Sequence, residues 1–466
     1  MRRRMSGRLH LRGQADALHP PRRVRRLRRV RAGLPRGGHL LRGRHAGGVE
    51  GLLRRQRELL RRPRLARRRR EDGRHRGGPP VRGRPAAPEP GVSPATSRPA
   101  VSGRLPDFPW DQLTSYAARA RAHAGGVVDL SIGTPVDPTP VVVQEALAAA
   151  ADAPGYPTTI GTPRVRQAAA DWLERRFGVT GLGLDGVLPS VGSKELIAAL
   201  PLHLGVGAGD LVVLPEIAYP TYEVGAALVG ARTLATDSLT AIGPERPSLL
   251  WLNSPSNPSG RVLGVDHLRK VVDWCRDRGT LLVSDECYLE CAWDDERRPV
   301  SVLHPDVCGG SHEGLLTVHS LSKRSNLAGY RAAFVAGDPT VVAELLAVRK
   351  NLGLIVPAPV QAAMAAALDD DAHVEEQHAR YAARRTRLRA ALESAGFRVD
   401  HSEASLYLWA TRDDDCWATV DWLAERGILV APGAFYGAAG SRHVRVAFTA
   451  TDERVAAAAE RLAAAV

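Results

Sequence analysis

The sequence has 466 residues, of which 44% are hydrophobic, and it carries a formal net charge of +14 at pH 7. This length is enough for two domains with a substantial core. No run of about 18 apolar residues occurs, so we predict no membrane-spanning helix and no membrane partner. The five cysteines form no CxxC pair and are odd in number, so we predict reduced thiols, with neither a disulfide framework nor a metal site.

The positive charge lies in the first hundred residues. They contain 30 arginines, no lysine and 6 acidic residues, a net charge of +24, so residues 101–466 carry −10. Residues 1–100 contain no aromatic residue and no isoleucine, and we predict a disordered Arg-rich extension because too little apolar surface offsets the entropy of ordering. Arginine runs bind nucleic-acid phosphates. No helix-turn-helix pattern or aromatic platform accompanies these runs, however, so we expect no nucleic-acid partner.

A mis-assigned start explains the extension better than a DNA-binding arm does. Arg, Gly, Pro, Leu and Ala dominate residues 1–100, as expected when GC-rich DNA is read in a frame not selected for protein. Bacteria initiate at GTG codons, and we hypothesise that the native chain starts at or near Val101. Arg3 and Arg4 precede no apolar run of the signal-peptide type, so we predict a cytoplasmic protein.

Deletion of residues 1–100 should therefore leave folding and activity unchanged. The hypothesis also predicts that mass spectrometry of the protein from its native host finds an N-terminal peptide near residue 101. Recovery of peptides from residues 1–90 in that host would contradict it and reopen the nucleic-acid interpretation.

From Leu105 onward the sequence is typical of a globular α/β protein. The segment DHLRKVVDWCRDRG predicts a helix with Asp266 as its N-cap and Gly279 at its end. An alternation of strands and helices predicts a wound sheet, in which ligands bind beyond the carboxyl ends of the strands. Short apolar runs predict buried parallel strands at LVVL (211–214), LLWLN (249–253), LLVSD (281–285), LLTVHS (315–320) and AAFVAG (332–337).

Polar residues occur where three of these strands end. Asn257 follows one strand, Asp285 ends another, and Ser320 ends a third, three residues before Lys323. Taken singly, Lys323 is a solvated lysine, Asp285 a helix cap, and Asn257 part of a turn. Because the carboxyl ends of parallel strands share one edge of a sheet, the group predicts a ligand site.

The motifs that contain these residues resemble those of the pyridoxal-phosphate-dependent aminotransferases of fold type I. The resemblance implies an α/β fold with a mostly parallel central sheet in a large domain and a smaller α/β C-terminal domain. We predict an N-terminal arm at 101–135, a large domain at 136–345 and a small domain at 346–466. The motifs, in chain order, are LSIGTPVDPTP, GYPTTIGTPRVR, VGSKEL, NPSG (257–260), DECY (285–288), SLSK (320–323), Arg331 and VRVAF.

The resemblance implies pyridoxal 5'-phosphate as the cofactor. Lys323 would hold it through a Schiff base and, once released, move a proton as a free amine. Asp285 would face the pyridine nitrogen and keep it protonated, because a nearby opposite charge favours the charged form. Tyr288 and Asn257 would hydrogen-bond the 3′ oxygen of the ring. Tyr219 would stack on the ring, or else is a core aromatic residue.

The cofactor phosphate requires anchors of another kind. Ser193 and Lys194 open a predicted helix, whose N-terminus favours an anion. Ser320, Ser322 and Arg331 would add hydroxyls and a guanidinium group.

The remaining implied roles concern a partner subunit and the substrate. Tyr156 would reach the phosphate of a neighbouring subunit, which implies a homodimer with shared sites. Arg445 would bind the α-carboxylate of the substrate through its planar guanidinium, and Gly133 would line the substrate on the other side. Lys194 either projects toward a distal substrate carboxylate or is an exposed first-turn lysine.

Within the superfamily, residues 101–466 look most like the actinobacterial N-succinyldiaminopimelate aminotransferases, on stretches such as LPDFPWDQL and LNSPSNPSGRVLGVDHLRKVV. That resemblance, and no residue chemistry, implies transfer of an amino group from glutamate to N-succinyl-2-amino-6-oxopimelate, giving 2-oxoglutarate, in lysine and diaminopimelate biosynthesis. One alternative is another class I aminotransferase, acting on aspartate or aromatic amino acids, or a pyridoxal-phosphate lyase. A second is an aminotransferase-like transcription regulator, but residues 1–100 lack the apolar residues of a folded DNA-binding domain.

Overall fold

The structure is a computed structural model that describes residues 101–464. The predicted Arg-rich extension at 1–100 lies outside the described residues. Within the described part of the chain, no helix is both long and apolar enough to cross a membrane. All five cysteines are free, as predicted.

The strands of the described residues form a seven-stranded, a four-stranded and a two-stranded sheet. In chain order they are β1 (Val128–Asp129), β2 (Val187–Val191), β3 (Leu211–Leu214), β4 (Arg232–Ala235), β5 (Leu249–Asn253), β6 (Leu281–Asp285), β7 (Leu315–Ser320), β8 (Ala332–Gly337), β9 (Arg398–Asp400), β10 (Tyr407–Thr411), β11 (Ile428–Leu429), β12 (Ala431–Pro432) and β13 (Val444–Ala447).

The large sheet has the order β2-β8-β7-β6-β5-β3-β4. Strands β4, β3, β5, β6 and β7 run parallel, whereas β8 is antiparallel to both of its neighbours, β2 and β7. The five predicted strands match β3, β5, β6, β7 and β8 at both ends, but the prediction of parallel pairing is wrong for β8. The chain passes from β7 to β8 within residues 321–331, which is shorter than the crossover of about a dozen or more residues that parallel strands need.

Helices cover both faces of this sheet. Alternate residues of β5 belong to different apolar clusters, Leu250 to one and Trp251 to the other. The helices, in chain order, are α1 (Thr114–Arg121), α2 (Val141–Ala149), α3 (Pro163–Phe177), α4 (Ser193–His203), α5 (Thr221–Val229), α6 (Val265–Arg278), α7 (Pro305–Cys308), α8 (Leu321–Arg324), α9 (Pro339–Asn351), α10 (Ala358–Asp369), α11 (Ala372–Ser394), α12 (Cys416–Glu425) and α13 (Asp452–Ala463).

The two predicted ends of helix α6 have different outcomes. It ends at Gly279, which adopts a left-handed φ of 65°, as predicted. The predicted N-cap is wrong, because Gly264 occupies the cap position and Asp266 is the second helical residue. At that position the Asp266 carboxylate still faces the positive end of the helix dipole.

The smaller antiparallel sheet has the order β12-β13-β10-β9. It shares an apolar cluster with residues of α1, α11, α12 and α13. Strand β1 pairs in parallel with β11, Val128 opposite Ile428, so main-chain hydrogen bonds join the N-terminal residues to the C-terminal part. The domain limits at 135 and 345 stay predictions.

Candidate active site

Several predicted site residues lie at the carboxyl ends of the central strands. Parallel pairing places Asn253 opposite Asp285, and Asp285 opposite Val318 near the end of β7. Lys323 follows in the short helix α8. The sheet therefore gathers residues that are distant in sequence at the edge where open α/β sheets bind ligands.

Asp285 is a buried carboxylate that is fixed by hydrogen bonds. It accepts one from the Tyr222 hydroxyl at 2.8 Å and one from the backbone N–H of Cys287 at 3.2 Å. Burial raises the pKa of Asp285, and the hydrogen bonds from Cys287 and Tyr222 oppose that rise. The Tyr222 ring is itself held, because it stacks on Trp251 with ring centroids 4.7 Å apart. Asp285 can therefore hold a cationic ring nitrogen opposite its carboxylate.

Replacement of Tyr222 by Phe should weaken cofactor retention and lower kcat by about ten- to a hundredfold. Hydrogen bonds to charged groups contribute about 1.5–3 kcal/mol, and loss of this one raises the pKa of Asp285 further, which disfavours the carboxylate form that stabilises the protonated ring nitrogen. Cofactor content after dialysis and initial rates would measure the effect. Tyr116→Phe is the matched control, because Tyr116 stacks on Trp417 away from the site, and equal losses in both variants would remove Tyr222 from the site.

Lys323 is half-buried and faces Gly133. Its ammonium group donates a hydrogen bond to the carbonyl oxygen of Gly133. A side chain at Gly133 would overlap the hydroxyl of Tyr407, so the absence of a Cβ lets the backbone approach this group closely. The structure thus brings Lys323 and Gly133 together, as the predicted roles of both require.

Cationic side chains gather at the N-terminus of α4. Its cap residue, Gly192, has a φ of 80°, and a side chain there would overlap the guanidinium of Arg331. Lys194 lies in the first turn, where burial, and then the charge of Arg331, lower the pKa of Lys194. Free backbone N–H groups, the helix dipole and two neighbouring cations together suit a phosphate.

The predicted hydroxyl ligands lie at the same edge of the sheet. Ser320 and Ser322 are buried, and the Ser320 Oγ accepts a hydrogen bond from the Ser322 backbone N–H at 3.2 Å. Ser193 is the first residue of α4. Their role in holding a phosphate stays a prediction.

Arg445, on β13, is a buried cation that forms no ion pair with a carboxylate of residues 101–464. It is 3% exposed, and it donates hydrogen bonds to Asn257 Oδ1 at 2.9 Å and to the Ser131 carbonyl oxygen at 2.6 Å. Its guanidinium carbon lies 4.0 Å from the Tyr407 ring centroid and 5.0 Å from that of Tyr436. Because a guanidinium has five N–H donors and its buried Nε has no partner in residues 101–464, Arg445 retains donors for a carboxylate.

Asn257 and Tyr288 are the residues predicted to contact the 3′ oxygen of the ring, and that role stays a prediction. Since Arg445 binds Asn257 Oδ1, the amide nitrogen of Asn257 is left as a donor. The hydroxyl groups of Tyr288 and Tyr407 are hydrogen-bonded to each other at 2.9 Å. Sequence reasoning missed Tyr407, which contacts Arg445, Tyr288 and the Gly133 position at once.

Two predicted tyrosines differ in their placement. Tyr219 packs edge-on against Tyr222, with ring centroids 5.8 Å apart, and lies 5.9 Å from the Lys194 ammonium. Burial raises the pKa of Tyr219 to about 12. Tyr156 is 100% exposed in the single chain, and its predicted contact with a partner's phosphate stays a prediction.

The residues present fit pyridoxal phosphate. The N-terminus of α4 with Arg331 suits its phosphate, the buried Asp285 carboxylate suits its ring nitrogen, and the half-buried Lys323 amine suits its aldehyde. At the two buried positions Gly133 and Gly192 a side chain would collide with Tyr407 and Arg331, so glycine at each position lets these groups reach the site.

The description "Aminotransferase class I and II" belongs to the family model that matches residues 125–462. This match covers most of the chain. The protein belongs to the class I and II aminotransferases. The enzyme is therefore a pyridoxal-phosphate-dependent aminotransferase, and the predictions of cofactor, enzyme class and fold type are confirmed.

Three known proteins place the aminotransferase within this family. It is 65% identical to the probable aminotransferase Rv1178 of Mycobacterium tuberculosis over 79% of this chain and 88% of that protein. It is 63% identical to 4-dedimethylamino-4-oxo-anhydrotetracycline transaminase OxyQ of Streptomyces rimosus, over 77% of this chain and 99% of that protein. The solved N-succinyldiaminopimelate aminotransferase of Mycobacterium tuberculosis matches with a TM-score of 0.71 and 27% identity, over 79% of this chain and all of that one.

Proposed function

We propose that the enzyme transfers an amino group from glutamate to N-succinyl-2-amino-6-oxopimelate, giving 2-oxoglutarate and the succinylated diamine. The observation that carries this proposal is Arg445, a buried guanidinium whose charged or ionisable neighbours are tyrosines. Burial of an unpaired charge is costly, so a ligand carboxylate is the natural partner. Glutamate and the oxo acid both carry a carboxylate next to the reacting carbon, so Arg445 serves both half-reactions.

Lys194 supports a substrate with a second carboxylate. Its ammonium lies 5.7 Å from the Phe108 ring centroid and 5.9 Å from that of Tyr219. In this arrangement the charge lies beside the aromatic ring proposed to cover the cofactor, on the substrate side of the phosphate site. Glutamate and the succinylated substrate each carry a carboxylate far from the reacting carbon, and Lys194 binds that carboxylate in our proposal.

The other residues act on the reacting carbon and on the cofactor. Pyridoxal phosphate supplies the electron sink for the reaction when it is bound. Lys323 is the amine that holds and returns the proton at the substrate Cα, as a positioned general base and acid. Asp285 keeps a positive charge on the ring nitrogen, and Gly133 leaves space for the substrate beside the Lys323 amine.

A second candidate function rests on the likeness to OxyQ. That enzyme is named for a 4-oxo-anhydrotetracycline substrate and is 63% identical to this chain, more than the 27% of the solved N-succinyldiaminopimelate aminotransferase. The alternative is therefore amination of a polycyclic ketone in place of an oxo diacid.

One experiment separates the two candidates. The purified enzyme is supplied with glutamate and, in separate reactions, with N-succinyl-2-amino-6-oxopimelate, the 4-oxo-anhydrotetracycline, oxaloacetate and phenylpyruvate, and 2-oxoglutarate is measured. We expect kcat/KM for the succinylated acceptor to exceed that of the others by at least tenfold. A preference for the tetracycline ketone, or for either of the other two oxo acids, would replace the proposal.

Lys194→Met should raise the KM of dicarboxylic substrates by about tenfold while changing that of alanine less than twofold. An exposed charge-assisted contact of this kind is modest in free energy. Initial rates with glutamate and alanine would measure the difference, and Lys270→Met is the control because Lys270 lies on α6, outside the site. Equal effects on both amino acids would place Lys194 outside the substrate pocket.

We propose in addition that the enzyme is a cytoplasmic homodimer. The fully exposed Tyr156 ring is the feature of the single chain that supports this, since its hydroxyl is free to contact a second subunit. In the dimer it would contact the partner's phosphate site.

A further inference from the structure

A second cavity lies between the seven-stranded and the four-stranded sheets. Its volume is about 260 Å³. None of the residues assigned above to cofactor or substrate lines it. The wall on the side of the large sheet includes Val213 and Leu250 from its strands and Val271 from α6, and the wall on the side of the small sheet includes Trp409 from β10 and His443, which directly precedes β13.

The larger part of the cavity lining is apolar, although the buried Asn253 and Ser259 also contribute to it, and the cavity has the size of a small organic molecule. An engineered cavity of about 150 Å³ lined by aliphatic side chains stays dry and binds benzene, so the larger volume here accommodates a ring with a short chain. Ligand sites commonly lie at domain interfaces and combine apolar walls with a few polar groups. The aliphatic lining residues are Val213, Ile217, Leu239, Ile242, Leu250, Leu252, Leu263 and Val271.

Hydrogen-bond donors are available at the mouth. Arg261, His267 and His401 line the cavity and are exposed. Burial, and then the charge of Arg261, lower the pKa of His267, so His267 at this mouth offers a neutral imidazole as a hydrogen-bond donor beside the guanidinium of Arg261. Guanidinium and imidazole groups together suit a carboxylate.

The two carboxylates at the mouth are already engaged. Asp400 accepts hydrogen bonds from His443 Nε2 at 2.8 Å and from Arg398 Nε at 2.8 Å. Asp237 accepts one from the backbone N–H of Glu216 at 3.1 Å. An anionic group can bind the guanidinium of Arg261, whereas a cationic group would have to compete with the hydrogen-bond donors that Asp400 and Asp237 already have. The mouth therefore favours an anionic ligand.

We propose that this cavity binds a small carboxylic acid with an apolar, ring-containing body, its ring among the aliphatic side chains and its carboxylate at Arg261 and His267. Such a ligand would contact both sheets. Because Trp409 pairs with Arg445 across β10 and β13, it would also rest against the strands that carry the arginine of the active site. Binding to the folded state then raises the melting temperature by mass action.

The test uses 4-phenylbutanoate as the probe for the holoenzyme. Isothermal titration calorimetry is run with saturating 2-oxoglutarate, which occupies Arg445 and cannot turn over without an amino donor. We expect one probe per chain and a rise in melting temperature. The matched alcohol, 4-phenylbutan-1-ol, and the matched cation, 4-phenylbutyl-trimethylammonium, should each bind at least tenfold more weakly.

Three variants locate the probe. Arg261→Gln should weaken binding at least tenfold, and Ile242→Trp should abolish it by filling the cavity. Lys270→Gln should change it less than twofold, because Lys270 is an exposed cation of α6 outside the cavity. Arg261 is exposed, so its variant tests the proposal even if Ile242→Trp does not fold. Absence of binding, competition by 2-oxoglutarate, equal binding of the alcohol or the cation, or an unchanged affinity of Arg261→Gln would each overturn the proposal.

Discussion

Replacement of Lys323 by Ala should abolish the covalent attachment of pyridoxal phosphate and lower kcat by at least about 10⁴-fold, the upper end of what general acid–base catalysis contributes. The sequence contains four lysines, Lys194, Lys270, Lys323 and Lys350, and Lys323 is the one whose amine faces Gly133 at the carboxyl edge of the sheet. The visible absorbance of the purified protein and its activity with glutamate measure the two effects.

Because the sequence has only four lysines, the assignment of Lys323 as the cofactor-binding lysine can be tested on every lysine. Borohydride reduction of the wild-type enzyme should fix the cofactor on the peptide that contains Lys323, and mass spectrometry should find none on the other three. Lys270→Ala is the matched control and should keep both colour and activity. A Lys323→Ala variant that transaminates at a rate near that of the wild type would show that the assignment is wrong.

The sequence predicted the secondary structure correctly where burial determines the distribution of apolar residues. The apolar runs predicted the first and last residues of β3, β5, β6 and β7 correctly. These strands are buried on both faces, so a change from apolar to polar or glycine residues marks the point where each strand leaves the core. The same runs carry no information on direction, so the antiparallel course of β8 was missed. The short connection between β7 and β8 forces an antiparallel direction only because the two strands are neighbours in the sheet. The sequence alone does not show that they are neighbours.

Sequence reasoning found the residues of the candidate site that lie in compact local motifs. It missed Tyr222 and Tyr407, whose contacts join residues far apart along the chain. Tyr222 lies three residues after Tyr219 in AYPTY, and that spacing could have suggested two aromatic residues on one side of the first turn of α5. Tyr407 had no such signal, because its contacts with Gly133 and Arg445 arise only when β10 and β13 are packed against the N-terminal segment.

Arg445 is a further case in which the sequence does not show the contacts of a side chain, and here those contacts decide whether its charge is neutralised. An arginine in the strand VRVA gives no indication in the sequence of whether an acid neutralises it. In the structure it is buried, flanked by the rings of Tyr407 and Tyr436, and hydrogen-bonded to two neutral oxygen atoms. Aromatic faces and neutral acceptors stabilise a guanidinium only in part, and in our proposal the substrate carboxylate completes the set of partners.

Arg445→Met should therefore lower kcat/KM for glutamate by roughly 10²- to 10⁴-fold. Two charge-assisted hydrogen bonds to a carboxylate contribute about 1.5–3 kcal/mol each, and each 1.4 kcal/mol corresponds to about a factor of ten. The loss should follow the carboxylate, so the slow reaction with isopropylamine, which has none, should change less than twofold. Initial rates with both amines measure the contrast.

The control variant is Arg442→Met, an exposed arginine three residues earlier, which should leave both rates unchanged. Because Met at 445 leaves Asn257 Oδ1 and the Ser131 carbonyl oxygen without their donor, cofactor content and the melting temperature are measured on the same samples. A variant that keeps its cofactor and loses activity equally with glutamate and isopropylamine would show that Arg445 supports the architecture of the site and does not bind the substrate carboxylate.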